Sequence, residues 1–314
     1  MTSAQRTRRL DHQGLVYGTD EQFLAGTAPF CREGLDRDDV VLAVTTTANI
    51  GHLRDSLGAD AHRVEFVDST AWYDAPGRTL AAYHRYVDER SDGRRRIRIV
   101  GEPVWHGRDV LETAEWTRYE SIINLAFADS AAWIVCPYDT RAVPAAVVDD
   151  VRRTHPDVVT GPLAEPSPAF VAPGLFDSGD HRSTDTGRDP GTVLRFAGDL
   201  AAVRGFAETT AAALGMSPTR IDGFVIAVNE VATNTVQHGG GSGRIALRRA
   251  GDRVVCDITD HGADPTVDWY AGYLPPDPAH PRGHGLWVAR QLCDLLQIHA
   301  SADGTAVRLH HRVT

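Results

Sequence analysis

Between Gly14 and Pro156, short apolar runs alternate with stretches of helical period. Gly14 to Tyr17, Val40 to Val44, Val64 to Val67, Ile97 to Val100 and Ala132 to Cys136 read as strands. Such alternation implies a mainly parallel sheet with helices on both faces. Thr19 followed by Gln22 forms a capping box for a short helix that carries Phe23, Leu24 and Ala28 inward and that Pro29 brings to a close. Val110 to Phe127 is a longer helix. The expectation is a three-layer α/β domain over residues 10–160.

The stretch 161–190 breaks this pattern, being rich in Pro, Gly, Ser and Asp without a sustained period, and reads as a linker or a loosely packed crossover. A second α/β domain, 191–314, should follow. There Val193 to Phe196 reads as a strand and Leu200 to Leu214 as a helix, with Ser217 and Pro218 as N-cap and first-turn proline of the next helix. Arg244 to Arg248 and Arg253 to Ile258 read as strands joined by a turn at Gly251, Gly285 to Gln297 as a helix, and Ala306 to His310 as the last strand.

A length of 314 residues with 42% hydrophobic content suits two domains with real cores. No apolar run approaches the roughly 18 residues of a membrane helix, and the polar start at Met1 to Leu10 does not resemble a signal peptide. The expectation is a cytoplasmic protein. Cys31, Cys136, Cys256 and Cys293 are too scattered for a disulfide framework or a C-x-x-C metal motif and should be reduced and buried. A net charge of -10 disfavours nucleic acid as a partner. The basic run Arg94 to Arg96 leads into an alternating strand and reads as a solvated face. The chain has no lysine at all, which excludes a Walker A loop and any Schiff-base enzyme. A nucleotide site here must use backbone amides, a metal ion and arginine.

The helix after Ser217 carries Ile221, Phe224, Val225, Val228 and Ala232 on one apolar stripe. On another face Glu230, Asn234 and His238 recur every fourth residue, stacking a carboxylate, an amide and an imidazole along one line. Downstream come Asp260 and Gly262 at a strand end, then Arg282, Gly283, His284 and Gly285 opening a helix, then Gly304 and Thr305 before the last strand. Glycines at a helix start let backbone amides approach an anion. An ionised aspartate only accepts hydrogen bonds and so suits a purine amine.

At these residues the chain resembles the ATPases of the gyrase, Hsp90, histidine kinase and MutL superfamily, and within it the bacterial anti-sigma-factor serine kinases. The resemblance covers about Thr192 to Thr314 and implies a two-layer α/β sandwich of Bergerat type. Ala227 to Gly239 is similar to the N box, which implies Glu230 as general base and Asn234 as Mg²⁺ ligand, with His238 ending the row. Asp260 and Gly262 resemble the first glycine box, with Asp260 on adenine. Gly283 and Gly285, with His284 between them, resemble the second, over the triphosphate, and Thr305 matches the Gly-Thr element. Arg282 is the nearby arginine for the γ-phosphate. The first box departs from its usual D-x-G-x-G, since Ala263 and Asp264 follow Gly262. Residues 263–281, with Pro275, Pro276, Pro278 and Pro281, would form a short stiff lid.

The first domain resembles the sensory domain first recognised in a methylotroph dichloromethane regulator, a degenerate RecA-like core. His12 to Tyr17, Glu33-Gly34-Leu35, Arg118-Tyr119-Glu120 and Cys136 to Asp139 carry that likeness. Its loop Thr45 to Leu53 has no lysine and cannot be a working P-loop. Glu102, Trp105 and Asp139 follow strands, where open α/β sheets place ligand crevices, so a small-molecule signal could bind there. Trp105 and Tyr119 read more readily as core aromatics, and Cys136 as a small buried hydrophobe. Together the resemblances imply a Mg·ATP-dependent anti-sigma factor and serine/threonine kinase. Its partners would be a sigma factor or an anti-sigma antagonist protein, and it could form a homodimer. The alternatives are a non-catalytic ATP-dependent partner-binding regulator and a sensor histidine kinase, the latter disfavoured because His181 lies in the linker.

Overall fold

The computed structural model describes residues 9–160, 163–176, 191–262, 267–276 and 283–314, which fall into two compact units. The elements of the N-terminal fold are β1 (Asp11–Tyr17), α1 (Asp20–Asp36), β2 (Val40–Thr45), α2 (Thr47–Leu57), β3 (Glu65–Asp68), α3 (Ser69–Trp72), α4 (Pro76–Arg90), β4 (Ile97–Gly101), α5 (Val110–Ala126), β5 (Ala132–Asp139), α6 (Ala145–Thr154), β6 (Asp157–Thr160) and β7 (Leu163–Pro166). The strands lie in the order β3-β2-β4-β5-β1-β6-β7. All pairings are parallel except that of β7 with β6. Phe23 and Cys31 of α1 and Leu53 of α2 pack with Leu15, Val41, Val100 and Val135 on one face of the sheet. On the other face His12 of β1 meets Asn124 of α5, and Gly14 meets Val151 of α6. The result is the three-layer, mainly parallel α/β fold that the alternation implies.

Three expectations need correction here. The first helix does not stop at Pro29 but runs on to Asp36 with the proline inside it. Proline removes a hydrogen bond to the residue four back. Pro29 and Ala25 are both exposed, so water can satisfy the freed carbonyl, while Phe30, Cys31 and Leu35 bury the continuation. At its start, Thr19 accepts from the Gln22 amide at 3.3 Å, but the Gln22 side chain accepts from Gly18 rather than closing the box on Thr19. The reading of 161–190 as linker also begins too early: Leu163–Pro166 adds a seventh strand, and Phe176 is buried to 3% exposure.

The C-terminal fold comprises β8 (Thr192–Phe196), α7 (Leu200–Ala213), α8 (Pro218–His238), β9 (Gly243–Ala250), β10 (Arg253–Asp260), α9 (His284–Leu292), β11 (Leu295–Ser301) and β12 (Gly304–Arg312). Its five strands form an antiparallel sheet in the order β11-β12-β10-β9-β8. Val203 of α7, Phe224 and Val228 of α8 and Ala289 of α9 pack on one face against Ile245, Cys256, Ile258 and Leu309. On the sheet itself Arg248 and Arg308 pair with Asp257. This is a two-layer α/β sandwich.

The helix expected over Gly285 to Gln297 ends at Leu292, and Leu295–Ser301 is an edge strand on β12. Leu292, Cys293 and Leu296 fit a helical period, but Asp294 turns the chain by accepting the Arg312 backbone N–H at 2.7 Å. All four cysteines are free and buried. No helix among the described residues is long and apolar enough to cross a membrane.

Candidate functional site

The long helix α8 sets the geometry. Pro218 starts it, and Phe224, Ala227, Val228, Val231 and Ala232, none more than 1% exposed, fix its rotation on the sheet. That rotation leaves Glu230 and Asn234 half-buried and His238 exposed along one line of the cavity wall. Ser217 is the N-cap residue, though its hydroxyl contacts Thr219 rather than a backbone amide.

Across from that line begins α9. Gly283 is its N-cap at φ 92°, in the left-handed region, and no side chain caps the helix among the described residues. The amides of its first turn therefore lack the acceptors that a capped helix start supplies. A Cβ on Gly285 would sit 3.0 Å from Glu230 Oε2 and 3.3 Å from Asn234 Oδ1. The missing side chain keeps that gap open between the helix start and the two oxygen donors.

Asp260 ends β10 at 9% exposure and is held from several sides. Its Oδ1 accepts from the amides of Gly262 at 3.0 Å and Thr305 at 3.4 Å, and its Oδ2 from the Thr235 hydroxyl at 3.3 Å. Gly239 must be glycine for Asp260 to take this place, because a Cβ there would lie 2.3 Å from Oδ2.

These elements enclose a cavity of about 940 Å³ lined by Glu230, Asn234, His238, Asp260, Gly262, Gly283, His284, Gly285 and Thr305. The structure thus brings together nine of the residues singled out from sequence, while Arg282 lies outside the described residues. Sequence reading missed Thr235 and the apolar wall of Val231, Val267, Leu286, Ile298 and Val307. It also missed Arg290, at 3% exposure, which donates to the carbonyls of Trp269, Ala271 and Leu296, each at 2.8 Å, and stacks on Tyr273. The described part of the expected lid, 267–276, is therefore anchored to α9 rather than free. The rest of the lid, including Ala263, Asp264, Pro278 and Pro281, lies outside the described residues.

The residues present fit a magnesium nucleotide. Glu230 and Asn234 offer hard oxygen donors, the start of α9 offers amides that no side chain among the described residues caps, and the apolar wall beside a buried acceptor suits a flat base with an exocyclic amine.

A second cavity, of about 440 Å³, opens at the carboxyl ends of the parallel strands and includes Glu102, Trp105 and Asp139, as expected for an open α/β sheet. Its centre is a buried carboxylate held through both oxygens by donors of its own domain. Glu102, at 5% exposure, accepts from Tyr17 Oη at 2.5 Å, from Asn49 Nδ2 at 2.9 Å and from the Thr45 hydroxyl. Burial and the adjacent carboxylate push the Tyr17 hydroxyl far above its ordinary pKa. The helix α2 behind it is capped by Thr46, whose amide also faces Glu102 at 3.5 Å. Trp105, Tyr119 and Cys136 are all buried.

Residues 11–156 match the family of the methanogen/methylotroph DcmR sensory domain, MEDS. Residues 196–311 match the histidine kinase-like ATPase domain family. Among solved structures, the chain is similar to the RsbU and RsbW domains of Rv1364c from Mycobacterium tuberculosis, 24% identical, with a TM-score of 0.29. That alignment covers 39% of this chain and 32% of the solved one, so it spans about a third of that chain's length. No curated protein matches the chain.

Proposed function

We propose that this chain, a MEDS sensory domain followed by a histidine kinase-like ATPase domain, is a cytoplasmic regulator that binds Mg·ATP beside α8. It then acts as an anti-sigma factor and serine/threonine kinase on an anti-sigma antagonist protein. What supports this reading is one observation: a single cavity gathers the carboxylate, the amide, the purine-type acceptor and the uncapped helix start. In this reading residues 10–160 receive a small-molecule signal and 191–314 carry the chemistry.

The bound nucleotide supplies a transferable phosphoryl group, with the metal ion neutralising its charge. Asp260, already anchored by Thr235, Gly262 and Thr305, offers its remaining lone pairs to the adenine amine. Asn234 Oδ1 would hold the magnesium ion. Glu230 takes the proton from the incoming hydroxyl as its oxygen bonds to phosphorus and the bond to the leaving ADP breaks. The first-turn amides of α9 face the phosphates.

A second reading, a non-catalytic binder that uses ATP only to engage its partner, is favoured by Ala263 and Asp264 where the first glycine box usually continues. Phosphate incorporation from labelled ATP into the antagonist that co-purifies with the full chain separates the two. Incorporation into serine or threonine that Glu230→Gln abolishes supports the kinase. Partner and ATP binding without incorporation establishes the binder instead.

A further inference from the structure

We infer that the N-terminal domain holds one divalent cation of the zinc type on His12, Glu120, Cys136 and His155, as a closed structural site. The fold brings these residues together from distant parts of the chain. β1 pairs in parallel with β5 so that Gly14 lies opposite Cys136, which puts His12 and Cys136 on one face of the sheet. Glu120 comes from α5, and His155 is the C-cap of α6. None of the four is more than 1% exposed, and their ligand atoms all lie within 4.8 Å of one another. It is the only such group of metal-ligand type among the described residues.

Hydrogen bonds outside the cluster decide what faces inward. The Asn124 amide donates to the carbonyls of Thr154 at 2.7 Å and Ser121 at 3.0 Å, which turns its oxygen toward His12 Nδ1 at 3.0 Å. That nitrogen therefore carries the proton and donates. His155 Nδ1 likewise lies 2.9 Å from the Val151 carbonyl, which can only accept. Both Nε2 atoms are left with bare lone pairs, and both point at the Glu120 carboxylate, 3.6 Å away for His155 and 3.9 Å for His12. Acceptor thus faces acceptor. The Cys136 thiol, 3.4 Å from His12 Nε2, and the Tyr138 hydroxyl lie beside the carboxylate. Even so, both Glu120 oxygens and His155 Nε2 have no hydrogen-bond partner among the described residues. Buried polar atoms are rarely left so, because each costs its full desolvation.

A cation at the centre satisfies all four groups at once. Zinc bonds of about 2.0 to 2.3 Å place tetrahedral ligand atoms roughly 3.3 to 3.8 Å apart, close to the 3.4, 3.6 and 3.9 Å seen here. Two imidazoles, a thiolate and a carboxylate form a borderline donor set of the kind zinc prefers. Ligation takes both imidazoles in their neutral form, with each Nδ1 already committed to a protein acceptor. On binding, the Cys136 thiol gives up its proton to solvent and its sulfur bonds the metal. Asn124 and the Val151 carbonyl are then the outer partners that orient the two rings. Gly14 makes room for this, since a Cβ there would lie 2.4 Å from Val151 and 3.2 Å from the His155 ring.

The test uses the full-length protein, stripped with a chelator, dialysed, reloaded with zinc or cobalt(II) and desalted. We expect one zinc per chain, a higher melting temperature on reloading, and a cobalt spectrum with tetrahedral visible bands and a thiolate charge-transfer band. Cys136→Ser should remove the charge-transfer band. Asn124→Leu, which leaves all four ligands in place, should weaken zinc affinity by about 10- to 100-fold. If Cys136→Ser does not fold, the wild-type cobalt band and the Asn124→Leu titration decide. Folded wild-type protein that retains no zinc, with Glu120 simply protonated in the apo cluster, would overturn the inference. So would a cobalt spectrum without a thiolate band.

Discussion

Both domains place carboxylates on the wall of a cavity, and the two sets differ in what is left over. In the N-terminal cavity Glu102 is held by Tyr17, Thr45 and Asn49. In the C-terminal cavity neither Glu230 nor Asn234 makes a side-chain hydrogen bond among the described residues, and a glycine keeps the space before them clear. A buried carboxylate whose partners are all internal holds its own domain together, whereas one with open valence facing a cavity is free for a ligand. Proximity to a pocket alone does not separate Glu102 from Glu230; the internal donors on the one and the open face of the other do.

The largest expected effect follows from the open carboxylate. Glu230→Gln keeps the size and polarity of the side chain but cannot accept a proton, so phosphoryl transfer to the antagonist should fall by about 10² to 10⁴. ATP affinity measured by calorimetry should hardly change, because the lost role belongs to the transition state. A variant that binds ATP normally and transfers at the wild-type rate would take the base role away from Glu230.

Asp260→Asn should weaken ATP binding by about 1 to 3 kcal/mol while leaving the fold intact. The reason lies in its partners. Oδ1 serves two backbone amides and must remain oxygen, so the new amide nitrogen falls at Oδ2, beside a Thr235 hydroxyl that can turn to accept. The face offered to adenine then changes from acceptor to donor. Calorimetry showing unchanged affinity would place adenine recognition elsewhere.

Glu102→Gln should do the reverse, lowering the thermal stability of the N-terminal domain by about 1 to 2 kcal/mol without altering ATP affinity. The substituted amide brings a donor to a position ringed by donors. An unchanged melting temperature would mean that the Glu102 network is not structural, and the contrast between the two cavities would lose its basis.

Legibility in the sequence followed the same divide between local pattern and distant partnership. The parallel strands could be read because runs such as Val40 to Val44 are apolar throughout, as burial on both faces demands. Strand β7 could not, because all four of its residues are exposed and one is proline. Strand β11 hid in the tail of a helical pattern because Leu292, Cys293 and Leu296 satisfy both periods. The N-box row was visible since Glu230, Asn234 and His238 share one helix. Thr235 and Arg290 were not, because their roles consist of bonds to Asp260 and to the backbone of 269–271 and 296, which no spacing encodes. Cys136 was read as a small hydrophobe for the same reason: His12, Glu120 and His155 become its neighbours only once the sheet is paired.

The smallest expected effect is none at all, and it tests the contrast most directly: the N-terminal cavity should take no Mg·ATP. A phosphate there would meet Asp20, Asp68, Glu102 and Asp139 on the lining. Arg141, the arginine on that lining, is already bound to Asp139 and Asp20 at 2.8 Å each. The start of α2 is no anion site either, because Thr46 caps it and the Glu102 carboxylate already faces the Thr46 amide. Without a lysine in the chain, nothing replaces the missing P-loop charge. Photolabelling of the full-length protein with an azido-ATP analogue and magnesium should therefore mark peptides from 191–314 alone, and Arg141→Ala should leave both the labelling and the affinity unchanged. A labelled peptide from 10–160 that excess ATP protects would show that the N-terminal cavity overcomes its own negative charge, and the contrast between the two cavities would then fail.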